Sequence, residues 1–146
     1  MSYKNADTGL GAVWCQGRKI DFLKADSAIY EGSALFTDED GKAWYMPTEG
    51  ATFLGVASSD VASGDSTVSV YTEGMFEFYG SDLSDSLIGK TAYLDTAKTP
   101  QHITVTKPSS EGDIYIPLGR IAKVISSGLC LVRIDGYALK EEVLTV

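Results

Sequence analysis

The chain is predicted to be all-β, a small barrel or sandwich with at most one or two short helices. Short runs of strand-forming residues are separated by turn signals about every 8–12 residues, the spacing of barrels and sandwiches. No long amphipathic helix interrupts them. The order of elements is also stated twice. Asp26-Ser27-Ala28-Ile29, Gly32 and Ala34-Leu35-Phe36-Thr37-Asp38 lead to Phe53-Leu54-Gly55-Val56-Ala57, Val68-Ser69-Val70 and Gly74. Asp85-Ser86-Leu87-Ile88, Gly89 and Ala92-Tyr93-Leu94-Asp95 then lead to Pro117-Leu118-Gly119-Arg120-Ile121-Ala122, Leu131-Val132-Arg133-Ile134 and Gly136. We read quasi-repeats over 26–79 and 85–136, within one β-domain over 20–146 that follows an extended arm over 1–19.

The arm carries Gly9, Gly11 and Gly17, polar Lys4, Asn5 and Asp7, and apolar Val13 and Trp14, with neither helical period nor alternation. Such a segment is frayed or becomes ordered by lying on something else. Trp14 packs either on a partner or on its own domain, because an indole is costly to leave in water. Ala34–Thr37 and Lys42–Met46 flank Asp38-Glu39-Asp40-Gly41, and Asp or Gly at such a point suits a hairpin turn. Phe53–Ala57 reads as a short apolar strand, 58–65 as a turn-rich connector, and Thr67–Tyr71 and Met75–Tyr79 as alternating strands. The stretch 81–89 offers one helical turn, with a Ser or Asp cap and Gly89 as its stop. Strands are expected at 92–95, 102–106, 114–116, 118–125 and 128–134, with a loop over 106–113; 137–143 is the other helix-capable stretch.

The chain has 146 residues, 44% hydrophobic and 22% charged, enough for one domain that buries a core without metal or disulfide support. Twelve basic against twenty acidic residues, net −8, disfavour nucleic acid as a partner, since phosphate binding needs clustered Lys and Arg. Cys15 and Cys130 lack metal-ligand spacing; they read as two free, mostly buried thiols from a reducing compartment, although contact between them stays open. The start, Met-Ser-Tyr-Lys-Asn-Ala-Asp, has no apolar h-region, and no run reaches the roughly 18 apolar residues of a membrane helix. A soluble product made in a cytoplasm, with no membrane partner, is expected.

Chemistry-bearing patterns are sparse. His102 is the only histidine, in Gln101-His102-Ile103-Thr104-Val105, and reads as a surface strand residue because general acid–base work needs an oriented partner. There is no Gly-rich phosphate loop, no HExxH and no CxxC. Asp38-Glu39-Asp40 lacks the alternate donors and distal Glu of a calcium loop, and Asp60, Asp65, Asp82 and Asp85 suit turns. Paired carboxylates for glycoside hydrolysis stay open, since their spacing is spatial. Among the aromatics, Phe76 and Phe78 share a face and belong to a core, with Tyr79 at its rim; Trp44, Tyr45 and Tyr71 are the other candidates for a ring platform. The reading is of a protein that is not an enzyme, with no catalytic residues, cofactor or metal.

The order Phe53-Leu54-Gly55-Val56-Ala57, Gly64-Asp65, Val68-Ser69-Val70, Gly74-Met75-Phe76, followed by Gly89-Lys90-Thr91-Ala92-Tyr93-Leu94-Asp95, Pro117–Ala122 and Val132-Arg133-Ile134, resembles the capsid decoration (cement) proteins of tailed bacteriophages. The resemblance covers about residues 20–136; the arm, the tail after Gly136 and the 96–113 region depart from it. It implies a compact β-barrel or β-tulip subunit, made in the host cytoplasm, that binds the outside of the virion head and stabilises the expanded shell. It further implies the major capsid protein as partner, a homo-oligomer, a trimer by preference, and an N-terminal arm that adds a strand to the shell. Tyr3, Lys4, Asn5, Val13 and Trp14 would then carry capsid binding. The alternative is a carbohydrate- or host-surface-binding module of a head fibre or tail.

Overall fold

The computed structural model describes residues 11–14, 19–48, 50–96, 98, 101–107, 114–135 and 144–145. Within them the protein is all-β. The strands are β1 (Gly11–Trp14), β2 (Lys19–Leu23), β3 (Ala34–Thr37), β4 (Ala43–Trp44), β5 (Phe53–Ala57), β6 (Thr67–Tyr71) and β7 (Gly74–Tyr79). A single 3-10 turn, Asp85–Leu87, precedes β8 (Thr91–Asp95), β9 (His102–Thr104), β10 (Ile114–Tyr115), β11 (Pro117–Ser126), β12 (Leu129–Ile134) and β13 (Leu144–Thr145). The turn lies in the expected 81–89 stretch. Ser84 occupies its N-cap without a side-chain cap bond, and Gly89 follows at φ +89°.

Two sheets carry the fold. One runs β1-β7-β12-β11-β8-β9 and closes on itself where β9 meets β7, so five strands form a barrel with β1 added outside it. The other runs β2-β6-β5-β3-β4, and its two edge strands touch through the parallel bridge Lys24–Ala43. β10 and β13 pair as a separate two-stranded ribbon. Strand by strand, β2, β3, β4, β5 and β6 take the places that β7, β8, β9, β11 and β12 take in the barrel. Both closures are parallel, and all the other neighbouring pairs are antiparallel.

The equivalence extends to single atoms. Gly32 N–H donates to Ala57 O and Ala57 N–H to Ser33 O; in the barrel Gly89 N–H donates to Ile121 O and Ile121 N–H to Lys90 O. Gly32 and Gly89 adopt φ of +87° and +89°, a region that glycine enters without steric cost. The register of β3 on β5 slips at Leu54, and that of β8 on β11 slips at Leu118. Each slip is followed by a glycine, Gly55 or Gly119, where a Cβ would collide with the carbonyl oxygen of Tyr71 or Arg133 on the next strand. The Leu-Gly pair legible twice in the sequence is thus a repeated bulge whose glycine lets two backbones close.

The units are cut differently from the expected 26–79 and 85–136. The first opens at Lys19 with β2, and Gly74–Tyr79 opens the second. A matched glycine after the last strand of each unit, Gly74 and Gly136, reads as a closing signal. Only pairing distances show that β7 begins the barrel. The arm is corrected too: Lys19 lies in β2, and Gly11–Trp14 runs antiparallel along β7 of its own chain. β4 is shorter than the expected 42–46, and β9 ends at Thr104. Expectations for 137–143, and for Tyr3, Lys4, Asn5 and Cys15, lie outside the described residues.

Two apolar clusters result. The inward face of the first unit gathers Ile29, Leu35, Ala43, Ala57, Val68 and Val70. The barrel interior gathers Phe76, Phe78, Ala92, Leu94, Ile103, Leu118, Ile121, Cys130, Val132 and Ile134, and this cluster also takes in Ala34, Phe36, Phe53 and Val56 from the outer face of the first unit. The two units therefore share one core. At roughly 25 cal/mol per Å² of apolar area buried, the sharing is the main force holding them together.

Candidate interaction surface

Several aromatic and ionisable residues serve packing and turns. Phe76 and Phe78 are fully buried, as their shared face predicts, and Tyr79 is half-buried. His102 lies in β9 directly opposite Tyr79 at the barrel seam, its ring 5.3 Å from the phenol. Asp38 Oδ1 accepts from the N–H groups of Asp40 (2.9 Å) and Lys42 (2.8 Å), which ties the acidic hairpin tip to its own backbone. Asp65 Oδ2 accepts from Ala62 N–H in the same manner. Asp60 Oδ1 instead reaches across the chain to Glu31 N–H at 2.7 Å, joining two connectors. Among the described residues no three His, Cys, Asp or Glu side chains gather closely enough for a metal ion.

Burial pushes the Cys130 thiol up to about 12, so it is an inert apolar side chain at neutral pH. Glu31 is raised above the usual carboxylate range by desolvation and then by the nearby Asp60 charge; its Oε2 is buried with no hydrogen-bond partner.

Two polar residues that sequence reasoning missed hold the fold. Lys24 is 5% exposed, and its Nζ donates to the carbonyls of Ala25 (2.8 Å), Ser27 (2.7 Å) and Ser63 (3.4 Å). It draws the β2–β3 and β5–β6 connectors together at the end of the first unit. Gln101 accepts Ala34 N–H at 2.9 Å and donates to the carbonyls of Ala34 and Tyr45, so its side-chain amide acts as a short strand between the units. A lysine between Leu23 and Ala25 has no burial signal of its own. The proline before Gln101 marks a turn but says nothing of what the glutamine meets.

What remains outside is an apolar rim on the first unit. Of the six exposed large hydrophobic side chains among the described residues, four (Ile20, Leu23, Tyr45 and Met46) lie in or beside its edge strands β2 and β4. Trp44 is half-buried with its ring 4.5 Å from Tyr45, and Lys19 Nζ sits 5.5 Å over Tyr71. The outer wall of the barrel is polar by contrast: Arg120 and Arg133 are exposed and face each other across β11 and β12. Of the residues expected in the arm site, Val13 and Trp14 belong to β1 against β7. Among the described residues, the exposed strand edges and the apolar rim are surfaces of a kind that suits protein–protein contact. No model of a known protein family matches the chain, and no curated protein matches it.

Proposed function

We propose that the protein is a structural virion protein that binds the outer surface of a phage head and stabilises its expanded shell without catalysis. One observation carries the reading. The runs of the resemblance, Phe53–Ala57, Val68–Val70, Gly74–Phe76, Thr91–Asp95, Pro117–Ala122 and Val132–Ile134, fall on strands β5, β6, β7, β8, β11 and β12. They build the all-β body that the resemblance implies. Cementing requires only preferential binding: a ligand that binds the expanded state and not its precursor stabilises that state by mass action. The major capsid protein is the partner in this reading, and the virion exterior is the location.

Co-sedimentation of the purified protein with expanded, undecorated phage shells tests it. Saturable binding to expanded shells and none to unexpanded ones is the expected result; failure to bind expanded shells refutes the proposal. Arm variants belong upstream of Gly11, because removing 11–14 would also strip β1 from β7. Deleting residues 2–10 is expected to weaken shell binding while leaving the unfolding midpoint unchanged.

A second reading has one observation in its favour. Exposed Tyr45 beside Trp44 offers a ring surface of the kind carbohydrate-binding modules use. Saturable glycan binding that is lost in Tyr45→Ala would favour that class.

A further inference from the structure

The equivalence of the two units isolates one strand edge. In the barrel, the outer edge of β7 is used twice: β9 meets it at Tyr79, and β1 lies along the rest, pairing Gly11, Ala12 and Trp14 with Glu77, Phe76 and Met75. In the first unit, β4 reaches the matching edge at Lys24, but among the described residues no strand lies along Lys19, Ile20 and Asp21. Those three correspond to Met75, Phe76 and Glu77, because each set pairs with the same run of its neighbour: Tyr71, Val70 and Ser69 on β6, and Arg133, Val132 and Leu131 on β12. Apolar side chains on this edge stay exposed, Ile20 by 37% and Leu23 by 63%.

An open edge presents unpaired N–H and C=O groups, and charged side chains normally defend it against stray strands. Lys19 and Asp21 provide that defence, but they carry opposite signs two positions apart, so the edge complements itself. We propose that β2 pairs with β2 of a second copy of this chain, antiparallel, across a two-fold axis at Ile20. In that register Lys19 of each copy faces Asp21 of the other, and the two Ile20 side chains meet at the axis. It covers the same three-residue window, in the same antiparallel sense, that β1 covers on β7. The neighbouring registers are worse. An axis at Asp21 sets two carboxylates face to face. An axis at Phe22 places Ile20 opposite Lys24, whose own edge is already bridged to Ala43. The occupant is thereby an identical strand, with Leu23 adding apolar surface at both ends of the contact.

The inference does not rest on the virion reading. Its test is light scattering and sedimentation equilibrium on the full chain across a concentration series. Physiological salt keeps the repulsion between subunits of net charge −8 screened beyond roughly 8 Å. A reversible dimer is expected. Lys19→Glu and Asp21→Lys each create like-charge pairs on both sides of the axis, and each is expected to weaken the dimer about tenfold or more. The double variant K19E/D21K restores opposite charges in the same register and is expected to return most of the affinity. Far-UV circular dichroism and thermal unfolding verify that each variant is folded, as substitution on an exposed edge predicts. A chain that stays monomeric up to about 1 mM, a trimer, or a double variant no better than the single ones overturns the proposal.

Discussion

The two five-stranded units share strand order, closure, bulge and turn hydrogen bonds, yet their outer walls are opposite in character. On the first, Ala34, Phe36, Phe53 and Val56 are buried, with Tyr71 packed beside them. On the barrel the matching positions are Thr91, Tyr93, Pro117, Arg120 and Arg133; Pro117 is buried, Thr91 and Tyr93 are half-buried, and both arginines are exposed. A repeated backbone scaffold thus permits two surfaces. One is apolar and joins the units into a single core, and the other is mixed, with two exposed arginines. The backbone demands that repeat are glycines and turns, whereas the side chains that diverge are those whose surroundings differ.

The largest expected effect tests whether the apolar wall is the true joint. Phe36→Ala should cost about 4 kcal/mol of stability by urea unfolding, the loss of a large buried aromatic plus the cavity it leaves. Tyr93→Ala at the matching, half-buried position should cost roughly 1 kcal/mol. Equal losses would mean the walls are not as different as their burial implies.

Next come the bulge glycines. Gly55→Ala and Gly119→Ala should each destabilise by about 3 kcal/mol, because the added Cβ meets a partner-strand carbonyl and forces the ladder apart. Gly55 is the more sensitive of the pair, since its φ of +141° is strained for any other residue. A harmless substitution at either site would break the equivalence of β5 and β11.

A smaller effect distinguishes the ends of the units. The residue matching Lys24 is Gly80, and there Leu83, 7% exposed, packs close enough that a Cβ on Gly80 would lie 3.0 Å from its side chain. The first unit fills the same place with an ammonium and three carbonyls. Lys24→Met should therefore cost about 2 kcal/mol, since carbonyls in a part-buried site lose their donor. Thermal unfolding would register this as a lower midpoint.

The smallest effect is a pH dependence confined to the first unit. The folded-state value of Glu31 lies above its unfolded value, so the folded chain holds that proton more tightly. Stability from this group is present at low pH and is lost as pH rises from the ordinary carboxylate value through the raised one. Glu31→Gln should flatten that window and raise neutral-pH stability slightly, by less than ~0.5 kcal/mol because the side chain is partly solvated. An unchanged pH profile in denaturant titrations would show that the buried Oε2 carries no linkage.

Much of this could be read from residues in order. Alternation in 67–71 and 75–79 located β6 and β7, because a half-buried strand must alternate wherever it pairs. The doubled Leu-Gly and the glycines at 32 and 89 exposed the repeat, since a positive φ or a close backbone approach leaves few other residues usable. The unit boundary was not legible, because β2 and β7 carry no mark of which sheet each will enter. Nor was the site of the apolar rim: Ile20 and Phe76 look alike as strand hydrophobics, yet Phe76 packs in the main core while Ile20 is 37% exposed.

By itself, then, the sequence determined the class of fold, most of the strands, the hairpin at Asp38–Gly41 and the existence of two similar units, all of which follow from local sterics and side-chain periodicity. Tertiary structure alone decided that β1 covers β7 while no strand among the described residues lies along Lys19–Asp21, that one wall is buried while its copy is partly exposed, and that Lys24 is interior. Those outcomes depend on which distant segments meet, and the free energy of burial belongs to the meeting and not to either segment.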